Sequence, residues 1–342
     1  RWVIERAWPT ENVSAKRLVL RPGILSEDVD EPSGSVNIFS PLSLGLKTGE
    51  YMPISGPAEL PQDQRSDDAH SVCFDHHPLT KPVDLLGTTK VYLRLSSDCT
   101  CGVVAARLCD VAPDGASTLI SYGILNLKQR NGREVLTKII PRESLDVVIR
   151  LNDTGWSLKP NHKLRLALSS QLWPMAWPLA ERATLTLDLA NCYLDLPIRT
   201  SNASDEIENP FGPPVAADQL AHETILPAKA TRHVHNNIEK GEIIYEVKID
   251  GGKTKFTAID LTYGSNSSQK YTNVEGDPLS ACIEYESGFS FQRGDWDVKT
   301  KSELIATCNA SDFILKARIL GFENDQQVFV RDWDVKIPRL IF

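Results

Sequence analysis

Large apolar residues recur at every second position in short stretches through the first two hundred residues. Thr89 to Leu95 (TKVYLRL), Val103 to Cys109 (VVAARLC), Asp146 to Leu151 (DVVIRL), Lys163 to Leu168 (KLRLAL) and Ala183 to Leu189 (ATLTLDL) all alternate in this way. A period of two is that of a strand with one face buried. Turn formers separate these stretches at Pro113-Asp114-Gly115, Asn131-Gly132, Asn152-Asp153-Thr154-Gly155 and Pro160-Asn161. Short strands punctuated in this way predict an antiparallel jelly-roll sandwich rather than a βαβ array.

Beyond residue 214 the strands read longer: Glu242 to Ile249, Lys255 to Tyr263, Ala281 to Phe291, Asp297 to Cys308, Phe313 to Phe322 and Val328 to Ile337. Asp250-Gly251-Gly252, Gly276-Asp277-Pro278, Arg293-Gly294-Asp295 and Glu323-Asn324-Asp325 are short enough to close hairpins, which predicts an up-and-down meander. The pentapeptide Asp-Trp-Asp-Val-Lys occurs at 295–299 and at 332–336. In a strand it places Trp and Val on one face, so Trp296 and Trp333 are expected inside one sheet system.

Two irregular regions interrupt the pattern. Pro41 to Asp68 holds four prolines and three glycines and reads as a long loop. Ser201 to Pro214 (SNASDEIENPFGPP) joins turn formers, acids and prolines, and marks a domain boundary. The expected organisation is a jelly roll over 1–200, a linker over 201–214 and an antiparallel β domain over 215–342.

Composition narrows the function classes. The 342 residues are enough for two domains that need no cross-links, and the seven cysteines are an odd number with no Cys-x-x-Cys pair, so reduced thiols and a cytoplasmic location are expected. The formal charge of −8 argues against a nucleic-acid partner, and no apolar stretch is long enough for a spanning helix. The acidity lies in the second half, where residues 201–342 carry 15 Lys+Arg against 22 Asp+Glu. The chain opens on Arg1 and carries no signal-peptide pattern, which reads as an internal start.

Candidate chemistry is sparse. Gly-x-Ser-x-Gly, the phosphate loop, the dinucleotide turn, His-Glu-x-x-His and the EF-hand loop are all missing, so no catalytic residue, metal ligand or cofactor is assigned. Asp75-His76-His77 puts its two imidazoles on opposite strand faces. His233 and His235 share a face without an evident third ligand, and Cys99 and Cys101 share a face without a second soft pair. Trp173-Pro174 and Trp177-Pro178 would make a rigid apolar wall or close the end of a core.

Several phrases resemble a known family. Asp63-Gln64-Arg65, Cys73-Phe74 followed by Pro78-Leu79-Thr80, Leu108 to Gly115 (LCDVAPDG), Ser121 to Asn126 (SYGILN) and His162 to Trp173 (HKLRLALSSQLW) are similar to the C-terminal region of cocaine esterase / X-prolyl dipeptidyl-peptidase serine hydrolases. The resemblance implies a galactose-binding-like jelly roll that packs on α/β-hydrolase and cap domains of the same polypeptide and helps wall their active site. It also implies that the catalytic triad lies outside this chain. Leu44, Tyr51, Met52, Trp173 and Trp177 are the residues expected near that wall or interface. Self-association is left open. An independent carbohydrate-binding jelly roll is the alternative, and exposure of Trp173 or Trp177 on a concave face separates the two.

Overall fold

The computed structural model describes residues 2–28, 34–50, 59–202, 205 and 211–340. Its contacts divide it into two compact units, one reaching to Pro214 and the other running from Val215 to Leu340.

In the first unit the strands are β1 Val13–Arg21, β2 Ile24–Ser26, β3 Ser35–Ile38, β4 Val72–Asp75, β5 Val83–Gly87, β6 Lys90–Ser97 and β7 Val103–Val111. They continue with β8 Ser117–Asn126, β9 Leu145–Arg150, β10 Thr154–Leu158, β11 Lys163–Ser169, β12 Leu185–Asp188 and β13 Tyr193–Arg199. The path β3-β12-β6-β13-β1-β2-β4-β11-β7-β8 links them, with β5, β9 and β10 attached beside it. Among the described residues all pairings are antiparallel except a single parallel contact of β2 with β4 at Ile24 and Asp75. That contact is the fold line. Leu93, Leu95, Leu187 and Leu194 from one wing and Phe74, Leu108, Leu166 and Leu168 from the other belong to one buried cluster, so the wings face each other as a sandwich.

Four of the alternating stretches read from the sequence form β6, β9, β11 and β12; buried residues recur at every second position in β6, β9 and β12, as in Leu145, Val147 and Ile149, while β11 is buried throughout from Leu166 to Ser169. β7 differs, because all nine of its residues are buried. Val104, Ala106 and Leu108 point into the sandwich, while Ala105, Arg107 and Cys109 point away from it and are still covered. Something besides the second wing must cover that outer face.

The second unit is a meander of β14 His222–Leu226, β15 Lys229–Asn237, β16 Glu242–Phe256, β17 Leu261–Val274, β18 Asp277–Arg293, β19 Trp296–Cys308, β20 Asp312–Glu323 and β21 Gln326–Pro338. The order β14-β16-β17-β18-β19-β20-β21, with β15 also on β16, gives an eight-stranded antiparallel sheet. Two expectations need correcting. Asp250-Gly251-Gly252 is not a hairpin but a register shift inside the long β16, and Lys255 to Tyr263 spans the real turn between β16 and β17. The Ser-Asn-Ser-Ser-Gln-Lys run that follows is polar at nearly every position, so periodicity could not reveal the central strand β17.

The second correction concerns the tryptophans. Trp296 and Trp333 are 47% and 38% exposed, not buried. Few side chains of this unit are fully buried, Tyr245, Val247, Ala281 and Ala306 being the apolar ones among the described residues, so alternation has no thick core to point into. Trp296 opens β19 at a hairpin, and Trp333 lies on the terminal strand β21, with the Arg331 guanidinium 5.0 Å from its ring centroid.

Candidate functional site

The outer face of β7 is covered by three segments, and these contain most of the residues that the sequence reading singled out. The first is the loop from Pro41 to Glu50. The Trp173 amide donates to the Leu44 carbonyl at 2.6 Å, and Gly45 adopts a φ of +118°. A Cβ at Gly45 would lie 2.5 Å from the Trp173 carbonyl oxygen and 2.8 Å from its nitrogen, so the close approach of the two backbones requires glycine. Leu44 and Leu172 pack with Ala105 of β7, and Met175 and Tyr122 flank them. Ser40 and Ser170 fix the same junction, each backbone amide donating to the other's hydroxyl oxygen at 3.0 and 3.1 Å.

The second segment is the Trp173 to Pro178 turn itself. Trp173 is completely buried, its ring edge-on to that of half-buried Trp177 at 5.9 Å between centroids. Leu44 is buried as well. Leu44 and Trp173 are therefore interior supports of the two loops, and the half-exposed rim consists of Met175, Ala176 and Trp177 with Leu46 and Lys47. Tyr51 and Met52 lie outside the described residues. On either side of them the loop is closed at its stem, since the Glu50 amide donates to the Glu59 carbonyl at 3.1 Å and the Gln62 amide to the Lys47 carbonyl at 3.0 Å.

The third segment carries Asp63-Gln64-Arg65 and one helical turn, Arg65–Asp68. Gln64 donates its amide hydrogens to the carbonyls of Lys47 (2.6 Å) and Gln62 (2.7 Å) and accepts from Arg107 Nη1 at 2.8 Å. Arg107, wholly inaccessible to solvent, also donates to Ser71 Oγ at 2.9 Å and pairs with Asp68 at 3.0 Å. Asp68 is shared with Arg165 at 3.1 Å, and Arg165 forks onto Asp75 at 2.7 and 2.8 Å. Two arginines from β7 and β11 thus anchor the loops through charge-assisted bonds, Arg107 in a dry environment and Arg165 at its half-buried edge. Hydrogen bonding to Asp75 raises the Arg165 pKa further against the effect of burial. Burial raises the Asp67 carboxyl above its ordinary value, only partly countered by Arg107 and by the amides of Lys47 and Gly45.

This hub was missed from the sequence. Arginine in the middle of Val-Val-Ala-Ala-Arg-Leu-Cys was its one signal, because a charge on a strand that is otherwise apolar or small needs a buried partner.

None of this arrangement supplies a nucleophile. Burial pushes the thiols of Cys73 and Cys192 up to about 11 and that of Cys109 up to about 12, the reverse of an activated cysteine. His162 shares a 2.7 Å hydrogen bond through Nδ1 with Asp110, whose other oxygen accepts from Trp156 Nε1 at 3.0 Å. Among the described residues no hydroxyl or thiol bonds the remaining nitrogen of His162, so the pair orients β7 against β10 and β11 rather than activating an attacking group. His76 bonds the His77 carbonyl and faces Glu27 at 3.5 Å, and His233 and His235 lie side by side and exposed.

Residues 1–237 match the model of the X-Pro dipeptidyl-peptidase C-terminal non-catalytic domain. The chain belongs to that family. Cocaine esterase of Rhodococcus sp. (strain MB1 Bresler) is 30% identical over 120 residues, which is 35% of this chain and 21% of the esterase. Among solved structures, an aminopeptidase from a marine sediment Thaumarchaeota archaeon aligns with 58% of this chain and 39% of its own at 18% identity and a TM-score of 0.49. A CocE/NonD family hydrolase from Staphylococcus aureus aligns with 57% of this chain and 38% of its own at 14% identity and a TM-score of 0.44. The chain therefore spans a fifth to two fifths of these relatives. The family match explains why the site is a set of braced loops with no nucleophile: the domain is non-catalytic.

Proposed function

We propose that this chain is a supporting module of a serine hydrolase of the X-Pro dipeptidyl-peptidase or acyl esterase type, which packs on the α/β-hydrolase domain and helps wall its active site. The observation that carries this reading is the bracing of the Pro41–Glu50 and Trp173–Pro178 loops over β7 by Gln64, Asp68, Arg107 and Arg165 in a domain whose family is non-catalytic. Loops fixed by buried charges and by an invaded glycine cannot remodel, which suits a wall that must hold its shape against a neighbouring pocket. Leu44 and Trp173 support that wall from within, and Trp177 faces the partner. The partners are the α/β-hydrolase and cap domains of the same polypeptide, and the free state of all seven cysteines agrees with a cytoplasmic setting.

The burial of Trp173 weighs against the carbohydrate-binding alternative, because one of its two candidate platforms is not on the surface. Two measurements test the proposal. The purified chain should hydrolyse p-nitrophenyl esters and X-Pro anilides no faster than a heat-denatured control; turnover that disappears on mutating a residue of this chain overturns it. The coding sequence upstream of Arg1 should contain Gly-x-Ser-x-Gly, and its absence from a continuous reading frame would remove the partner.

A further inference from the structure

One cluster of ligating side chains plays no part in the loop layer. Cys99 and Cys101 lie in the link between β6 and β7, and Glu181 lies just before β12. The two sulfurs are 3.2 Å apart, and a Glu181 carboxylate oxygen and both sulfurs all fall within 4.8 Å of one another. The segments that carry them are already tied together. The Asp98 amide donates to the Thr184 carbonyl at 3.2 Å, the Thr184 amide donates to Asp98 Oδ1 at 2.8 Å, and Ser97 Oγ donates to the Cys101 carbonyl at 2.6 Å. Ser97 and Leu185 are register partners of β6 and β12, so both segments leave adjacent strand ends. Cys101 is buried, Cys99 is half-buried and Glu181 is exposed, which leaves the carboxylate side open for entry from solvent.

We propose that Cys99, Cys101 and Glu181 form a binding site for a thiophilic divalent cation of the zinc class, with one solvent molecule as the fourth ligand. Two sulfurs and one carboxylate oxygen make a donor set that suits zinc, whereas magnesium and calcium require oxygen ligands throughout. On binding, each thiol releases its proton to solvent, two metal–sulfur bonds and one metal–oxygen bond form, and the hydrated ion gives up all but one of its waters in the four-coordinate product; no electrons are transferred. Metal–sulfur bonds of ~2.3 Å in a tetrahedron set the sulfurs roughly 3.8 Å apart, so they separate by about half an ångström, a shift that side-chain torsions can absorb. Bound there, the ion clamps the β6–β7 link to the segment entering β12. Sequence spacing hid the third ligand, because Glu181 lies 80 residues beyond Cys101.

The test uses the full chain, reduced and stripped with a chelator, and titrated with Co²⁺ and then Zn²⁺. One Co²⁺ per chain should produce a thiolate-to-cobalt charge-transfer band with the visible bands of a tetrahedral centre, and Zn²⁺ should displace it. Cys99→Ser should abolish the band, and Cys282→Ser should leave it unchanged. Glu181→Gln alters an exposed side chain and so keeps the fold; it should weaken Co²⁺ binding at least tenfold while leaving a thiolate band at saturation. A wild-type chain that gives no thiolate band, a band that survives Cys99→Ser, or an unchanged affinity in Glu181→Gln overturns the site.

Discussion

Gly45 offers the sharpest test of how the loop layer is built. Alanine at this position would keep the left-handed φ of +118° at a cost of roughly 1–2 kcal/mol. Its Cβ would also sit 2.5 Å from the Trp173 carbonyl oxygen and 2.9 Å from the Leu172 carbonyl carbon. Both neighbours are backbone, so relief requires moving one loop away from the other, and forced repacking of this kind costs about 1–3 kcal/mol. Restricting the unfolded chain returns about 0.4–1 kcal/mol. The net expectation is a loss of about 3 kcal/mol, concentrated at the Trp173 amide that donates to Leu44. Hydrogen exchange reads this locally: the Trp173 amide should exchange about a hundredfold faster in Gly45→Ala. Gly115→Ala is the control, since its φ of +86° is also left-handed but nothing lies within 4 Å of the added carbon. It should destabilise by about 1 kcal/mol or less and leave the Trp173 amide protected. Equal exchange of Trp173 in Gly45→Ala and wild type would refute the account of two backbones held in contact.

Three further outcomes follow from the buried charges and the exposed indoles. Arg107→Met should cost about 3–5 kcal/mol in urea unfolding because it removes one of the two arginines that hold buried Asp68 and takes the Arg107 donor from the Gln64 side-chain oxygen, whereas Arg318→Met, on an exposed pair with Asp332, should leave the midpoint unmoved. Asp67 holds its proton more tightly folded than unfolded, so the unfolded chain binds fewer protons as pH rises from 3.8 through the raised value, and stability falls across that window. Asp67→Asn should remove that fall, and identical pH–stability curves for the two proteins would contradict it. Iodide should quench Trp296 and Trp333 in single-tryptophan variants and leave Trp173 protected.

The sequence made the sandwich legible because β6, β9, β11 and β12 each present one apolar face to one core, so period and environment agree. It failed where they part. Polar β17 is central in its sheet, held by ladders on both sides rather than by apolar burial. The two Asp-Trp-Asp-Val-Lys strands have the right alternation and no thick core to receive it. At the site, the Trp-Pro steps drew attention through composition and Leu44 through the family resemblance, but their roles depend on who lies opposite. Gln64 reaches Arg107 across 43 residues and Arg165 reaches Asp75 across 90, distances over which no local pattern speaks.

The pairing of β1 with β13 sets the timetable of biosynthesis. Val13 to Val19 find their partners in Tyr193 to Arg199, and Arg17 waits for Asp195, 178 residues later. At synthesis rates of about 5–20 residues per second, the first strand emerges on the order of ten to forty seconds before the strand that completes its ladder. Through that interval, among the described residues, only the three of β2 are at hand to pair with it. The sandwich therefore closes late. Each strand of the meander from β16 to β21 needs only its neighbour, and that sheet can grow hairpin by hairpin as it leaves the ribosome.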